Sequence, residues 1–141
     1  ERSLLFLADF TDSDAASVCP RATLKRVLSR LEQQGLYAQA AAEYEFFLFN
    51  ENPDSIRAKG YRQLQPMTPG NFGYSVLRNS THAPLYHALL DMSEAMGMPL
   101  EGLHTETGPG VLEAAITHSD ALRAADNAAL FKTYTKVWLK G

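Results

Sequence analysis

Two short acidic stretches hold the residues best suited to chemistry. In "EYEFFLF", residues 43–49, Glu43 and Glu45 stand two apart and lead into Phe46, Phe47, Leu48 and Phe49. On a strand this spacing puts both carboxylates on one face and turns Tyr44 and Phe46 to the other. The apolar run predicts burial on both faces at the strand's far end. Burying two like charges side by side is costly unless a cation lies between them. In "EGLHTETGPGVLEAAI", residues 101–116, Glu106 and Glu113 flank Gly108-Pro109-Gly110, so a hairpin brings them to one end of a sheet. Glu113 then runs into Ala114, Ala115 and Ile116, again a carboxylate set among apolar residues. Oxygen ligands of this kind suit Mg²⁺ or Mn²⁺, whereas zinc prefers nitrogen and sulfur. Spacing alone leaves ordinary surface charge as the alternative.

These carboxylates must be positioned by regular elements. Residues 4–10, "LLFLADF", read as a buried strand, followed by a polar loop with Asp12, Ser13 and Asp14. Pro20 suits the first turn of a helix, Leu24, Val27, Leu28 and Leu31 follow at helical spacing, and Gly35 supplies the stop. Residues 38–49 return as a strand, and 50–80 form a long turn-rich loop punctuated by Pro53, Pro66 and Pro69-Gly70. A second helix opens at Pro84, carries Leu85, Leu89, Met92 and Met96 on one stripe, and closes at Gly97. Strands at 99–106 and 111–117 are joined by "TGPG", and a last helix runs from about Ser119 to Lys140. The order β-α-β-loop-α-β-β-α predicts an α+β fold, a mainly antiparallel sheet with flanking helices.

At 141 residues the chain is about one domain, and its net charge of −3 argues against a nucleic-acid partner. No apolar stretch approaches the roughly 20 residues that cross a bilayer, so no membrane partner is expected. Cys19 is the only cysteine, which excludes an internal disulfide and fits a reducing, cytoplasmic setting. His82, His87 and His118 show no mutual ligand spacing and read as surface or cap residues. Met92, Met96 and Met98 read as core filler, and Tyr134 with Trp138 as a packing stripe.

The same segments resemble the glutamine synthetase family in order along the chain. "AEYEFFLF" is similar to the family's Glu-Pro-Glu strand motif, with Tyr44 in place of proline, and "EGLHTETGPGVLEAAI" resembles its second acidic segment. "AADNAALFKTYTKV" is similar to the helix that follows, and "PRATLKRVL" to an earlier one, although Cys19 stands where aspartate is usual. The resemblance implies a two-metal ligase of nitrogen metabolism. In such an enzyme ATP phosphorylates the γ-carboxylate of glutamate, and ammonia or an amine displaces phosphate from the γ-glutamyl phosphate. Glu45, Glu106 and Glu113 would hold a Mg²⁺ or Mn²⁺ ion, Glu45 and Glu106 on the glutamate side, and Glu43 would help hold a second ion on the ATP phosphates. Glu101 matches a position near the nucleotide ribose, His104 lies in a His-rich part of the pattern on the nucleotide side, and Gly73-Tyr74 falls in a segment near the nucleotide pocket.

The resemblance also implies that residues 1–141 are the N-terminal part of the catalytic domain, with a β-grasp domain upstream and further ligands and substrate arginines downstream. A start at Glu1 without methionine and an end at Gly141 fit such a fragment, inactive by itself. The full-length protein would form a homo-oligomeric ring. An isolated fragment is expected to expose apolar surface around its first strand and last helix. "HTETGPGVLE" departs from the ammonia-using members and points toward a larger amine. A non-catalytic structural or scaffold relative, of the lengsin type, is the alternative reading.

Overall fold

The computed structural model describes residues 4–139. Its main sheet has three antiparallel strands in the order β2-β4-β3, formed by Glu43–Phe47 (β2), Leu100–Thr105 (β3) and Val111–Ile116 (β4). A small second sheet pairs Gln39–Ala40 (β1) with Ser119–Asp120 (β5). Among the described residues six helices accompany them: α1 (Ser13–Val18), α2 (Pro20–Glu32), α3 (Pro53–Ala58), α4 (Val76–Thr81), α5 (Ala83–Ala95) and α6 (Ala121–Trp138). The expected α+β class is therefore what forms. The expected end of the last helix at Lys140 lies outside the described residues.

The core lies between one face of the sheet and helices α5 and α6. Tyr86, Leu89 and Met92 from α5, Leu112, Ala114 and Ile116 from β4, Met98 and Phe131 make one buried cluster. Of the stripe expected on α5, Leu89 and Met92 are buried and Leu85 and Met96 pack half-buried against the same core, because residues three and four apart share a helix face. Gly35 and Gly97, both at positive φ, end α2 and α5 in the same way. The N–H groups of Leu36 and Met98 bond back to the carbonyls of Leu31 and Ser93, a closure that needs a left-handed residue in between. Tyr44 faces this core as the two-residue period requires: its ring lies 5.6 Å from that of Phe131 and its hydroxyl donates to the Ala128 carbonyl at 2.9 Å.

Several expectations are corrected. Residues 4–10 form no strand, and Leu4, Phe6 and Phe10 are exposed. A strand needs a partner edge, and none among the described residues pairs with this segment. It runs instead along a groove with Ala95, Met96, Leu130 and Tyr134, while Asp9 pairs with Arg21 and Lys25 of α2. The polar run after it is helical, because Asp12 caps α1 by accepting from the Ala15 N–H at 2.8 Å. The single strand expected over 38–49 divides into β1 and β2. Phe47 and Phe49 are exposed rather than buried: Phe47 alternates onto the face of Glu43 and Glu45, opposite the helices, and Phe49 lies beyond β2. Apolar surface is indeed open around residues 4–10 and at Val137 and Trp138.

The turn-rich loop contains α3 and α4, each started by a capping side chain, Asn52 and Ser75 respectively. Glu51 gathers its first part: the carboxylate accepts from Ser55 Oγ, Lys59 Nζ and the Gln65 N–H. The Lys59 and Ser55 donors and the Gln65 amide hold its pKa down at about 2. This closure returns the chain to β2, where the Met67 N–H bonds to the Leu48 carbonyl. Thr68 Oγ1 then accepts from the Gly110 N–H at 3.2 Å, bracing the β3–β4 turn.

Replacing Phe131 with alanine empties the centre of this core and is expected to cost about 3–5 kcal/mol in urea unfolding, with the slope unchanged. A loss below about 1 kcal/mol would contradict the packing described. Because the folded pKa of Glu51 lies below its ordinary 4.5, its stabilising contribution is complete above that value and fades as pH falls toward about 2. Stability measured across this window should lose that part of its slope in Glu51→Gln.

Candidate metal centre

The sheet register assembles the acidic face. Glu45 stands opposite Glu113, and Glu113 opposite His104, so one residue from each strand lies in a row. Glu43 is opposite Ala115, two residues along the same face as Glu45. The helices pack against the other face, where Leu112, Ala114 and Ile116 are buried. Glu106 follows β3 two residues after His104, and its N–H bonds to the Val111 carbonyl to begin the turn. Glycine is required in that turn. Gly110 has φ +71°, and a β-carbon there would meet the Leu48 carbonyl oxygen at 2.5 Å.

His104, Glu106 and Glu113 bring one ligand atom each to within 4.8 Å of one another. His104 Nδ1 lies 3.8 Å from Glu106 Oε2, and Nε2 lies 3.9 Å from Glu113 Oε1. These separations are too long for hydrogen bonds. They are close to the roughly 3–4.3 Å between ligands that each sit about 2.1 Å from a shared Mg²⁺ or Mn²⁺ ion. Glu106 is only 9% exposed; its Oε1 accepts from Thr107 Oγ1 at 2.8 Å, while Oε2 is buried without any partner. A buried carboxylate oxygen left without a donor is costly, and a cation enclosed by the three side chains removes that cost. The donor set, one imidazole and two carboxylates, fits such an ion.

Electrostatics separate the two carboxylates. The Tyr74 hydroxyl beside Glu106, together with Thr107, holds the Glu106 carboxyl below the usual range. Burial pushes Glu113 up; His104 opposes this, and the charges of Glu43, Glu106 and Glu45 add to it. Tyr74 has the left-handed φ of +57°, donates its N–H to the Thr105 carbonyl at 2.7 Å, and lays its ring 4.8 Å from that of His104.

Of the residues singled out from sequence, Glu106, Glu113 and His104 converge. Glu43 and Glu45 share their face but lie outside the tight cluster. Glu101 is exposed beside the bulge that opens β3 and belongs to no cluster. His104, placed by resemblance on the nucleotide side, sits between Glu106 and Glu113. Its two-residue spacing from Glu106 on one strand was the signal for that. Sequence reasoning missed Thr107.

The glutamine synthetase catalytic-domain model matches residues 17–140. Type-1 glutamine synthetase 2 of Dictyostelium discoideum is 44% identical over 94% of this chain and 26% of its own length. A glutamate–isopropylamine ligase of Pseudomonas sp. is 32% identical over 89% of this chain and 27% of its own. The chain thus spans about a quarter of the length of these curated relatives. Among solved structures, a GmaS–ADP complex superposes with a TM-score of 0.69 over 86% of this chain and 27% of that one, at 24% identity, a likeness of fold. With the family model covering residues 17–140 of 141, and the acidic strand pair standing where the sequence motifs put it, the chain belongs to the glutamine synthetase catalytic-domain family.

Proposed function

We propose that this chain is the N-terminal part of the catalytic domain of an ATP-dependent γ-glutamyl ligase that joins the γ-carboxylate of glutamate to ammonia or a primary amine. The observation that carries the reading is the buried, partnerless Glu106 Oε2 facing His104 and Glu113. Glu106 and Glu113 would hold a Mg²⁺ or Mn²⁺ ion with Glu45 from the adjoining strand, and His104 lies within reach of the same ion. Glu43, further along β2, would serve a second ion on the ATP phosphates, and exposed Glu101 a nucleotide hydroxyl. When bound, such ions neutralise charge that gathers on phosphoryl oxygens.

In the proposed reaction the γ-phosphoryl group of ATP passes to the glutamate γ-carboxylate and ADP leaves. The amine nitrogen then attacks the acyl carbon, the C–N bond forms, the C–O bond to phosphate breaks, and the amine loses a proton. The chain's own residues contribute placement. The sheet fixes Glu45, Glu113 and His104 in one row, and burial behind Tyr74 and Thr107 limits the motion of Glu106. None of the carboxylates is assigned as a general base. The named relatives include a glutamine synthetase and a glutamate–isopropylamine ligase, and the second agrees with the departure noted in "HTETGPGVLE". Exposed Phe47, Phe49 and residues 4–10 support a larger assembly, for which a homo-oligomeric ring is the proposal.

Mn²⁺ binding followed by electron paramagnetic resonance is expected to weaken at least about tenfold in Glu106→Gln, Glu113→Gln and Glu45→Ala. Glu94→Gln, on an exposed part of α5, is the control. Equal affinity in all four would remove the basis for the assignment. Binding also requires an ionised Glu113. Because burial raises its pKa, affinity should begin to fall at a pH above the ordinary glutamate range, with Glu106 contributing only at lower pH. In Glu113→Gln the upper part of that pH dependence should vanish. Wild-type affinity that stays flat until the ordinary carboxylate range would count against the role of Glu113.

A further inference from the structure

The outer edge of β3 next to the acidic cluster is covered by the segment 74–79, and one amide in that segment holds two elements at once. Asn79 lies on α4. Its Oδ1 accepts from the Tyr86 hydroxyl on α5 at 2.8 Å and from the Thr105 N–H at 3.3 Å. Thr105 is 3% exposed and stands between His104 and Glu106. Its remaining polar groups face the same segment: the carbonyl accepts from the Tyr74 N–H at 2.7 Å and the hydroxyl from the Ser75 N–H at 3.1 Å. All three polar groups of Thr105 are therefore satisfied by residues 74–79, and Asn79 alone supplies the acceptor for its N–H. Both donors on Asn79 belong to buried residues, so its loss leaves two polar groups unpaired away from water.

We propose that Asn79 is a positioning residue for the cation site, acting through the Thr105 peptide. By fixing that peptide it sets the directions in which His104 and Glu106 leave the strand. It also holds Tyr74, in its left-handed conformation, with its ring on His104 and its hydroxyl beside Glu106. The inference rests on the reading of His104, Glu106 and Glu113 as a cation site. Outer partners of metal ligands act in this way, by restricting ligand orientation rather than by touching the ion.

Two readouts test it. Mn²⁺ affinity reports the site, and the NMR shifts of the His104 ring protons report the Tyr74 stacking with no metal present. Asn79→Ala is expected to weaken Mn²⁺ by about ten- to a hundredfold and to move the His104 protons toward unstacked positions. Asn79→Asp keeps an acceptor oxygen in place and should retain the stacked shifts. A purely structural role would lower the unfolding temperature without moving those protons in the folded protein. An alanine variant with wild-type affinity and unmoved shifts overturns the proposal. If that variant does not fold, Tyr86→Phe decides: it removes the anchor of Asn79 to α5, should displace the same protons less far in the same direction, and counts against the proposal if they stay put. If the wild type binds no Mn²⁺, the cation reading fails, and the shifts alone still decide whether Asn79 sets the geometry.

Discussion

The acidic face is governed by the cost of taking negative charge out of water. Glu106 and Glu113 are drawn into the protein while Glu43 and Glu45 add to the same field, and no lysine or arginine pairs with these four carboxylates among the described residues. The neighbours available are an imidazole, a phenol and a threonine hydroxyl. They direct the carboxylates without cancelling their charge. Gathering these charges costs folding free energy, and the proposed cation would offset that cost at side chains the sheet already holds together.

That cage depends on a simple geometric rule applied across the sheet. Alternation along β2 sends Tyr44 to Phe131 and Glu45 to the opposite face, and the antiparallel register passes the alternation to Glu113 and then to His104. A slip of one residue in either ladder would carry Leu112 or Ala114 onto the acidic face and bury Glu113 in the core. Register is pinned at the turn, where Gly110 approaches the Leu48 carbonyl too closely for any β-carbon. Core packing and site geometry are thus two faces of one strand pairing.

Much of this was legible in the residues themselves. The alternation around Glu43 and Glu45, the hairpin between Glu106 and Glu113, and the helices bounded by Pro20, Gly35, Pro84 and Gly97 all follow from local rules. Residues 4–10 misled because an apolar run has the composition of a strand, yet strandhood depends on a partner elsewhere in space. Of the helices in 50–80, α3 was hidden by reading Pro53 as turn punctuation, when asparagine before proline, with Ser55 closing a capping box, also starts a helix. His104 required the spacing rule already used for Glu43 and Glu45. Asn79 offered no local signal, because its partner Thr105 is 26 residues away and the bond is to a backbone group.

The free side of β2 has a consequence for handling the protein. An edge strand with Phe47 in the open, and Phe49 exposed just beyond it, presents unpaired backbone donors and acceptors next to sticky aromatic surface. It bears no proline or lysine within Glu43–Phe47 to discourage a second strand from docking. Preparations of this chain should therefore show self-association that rises with concentration and that a charged residue in place of Phe47, on the same face as the glutamates, suppresses.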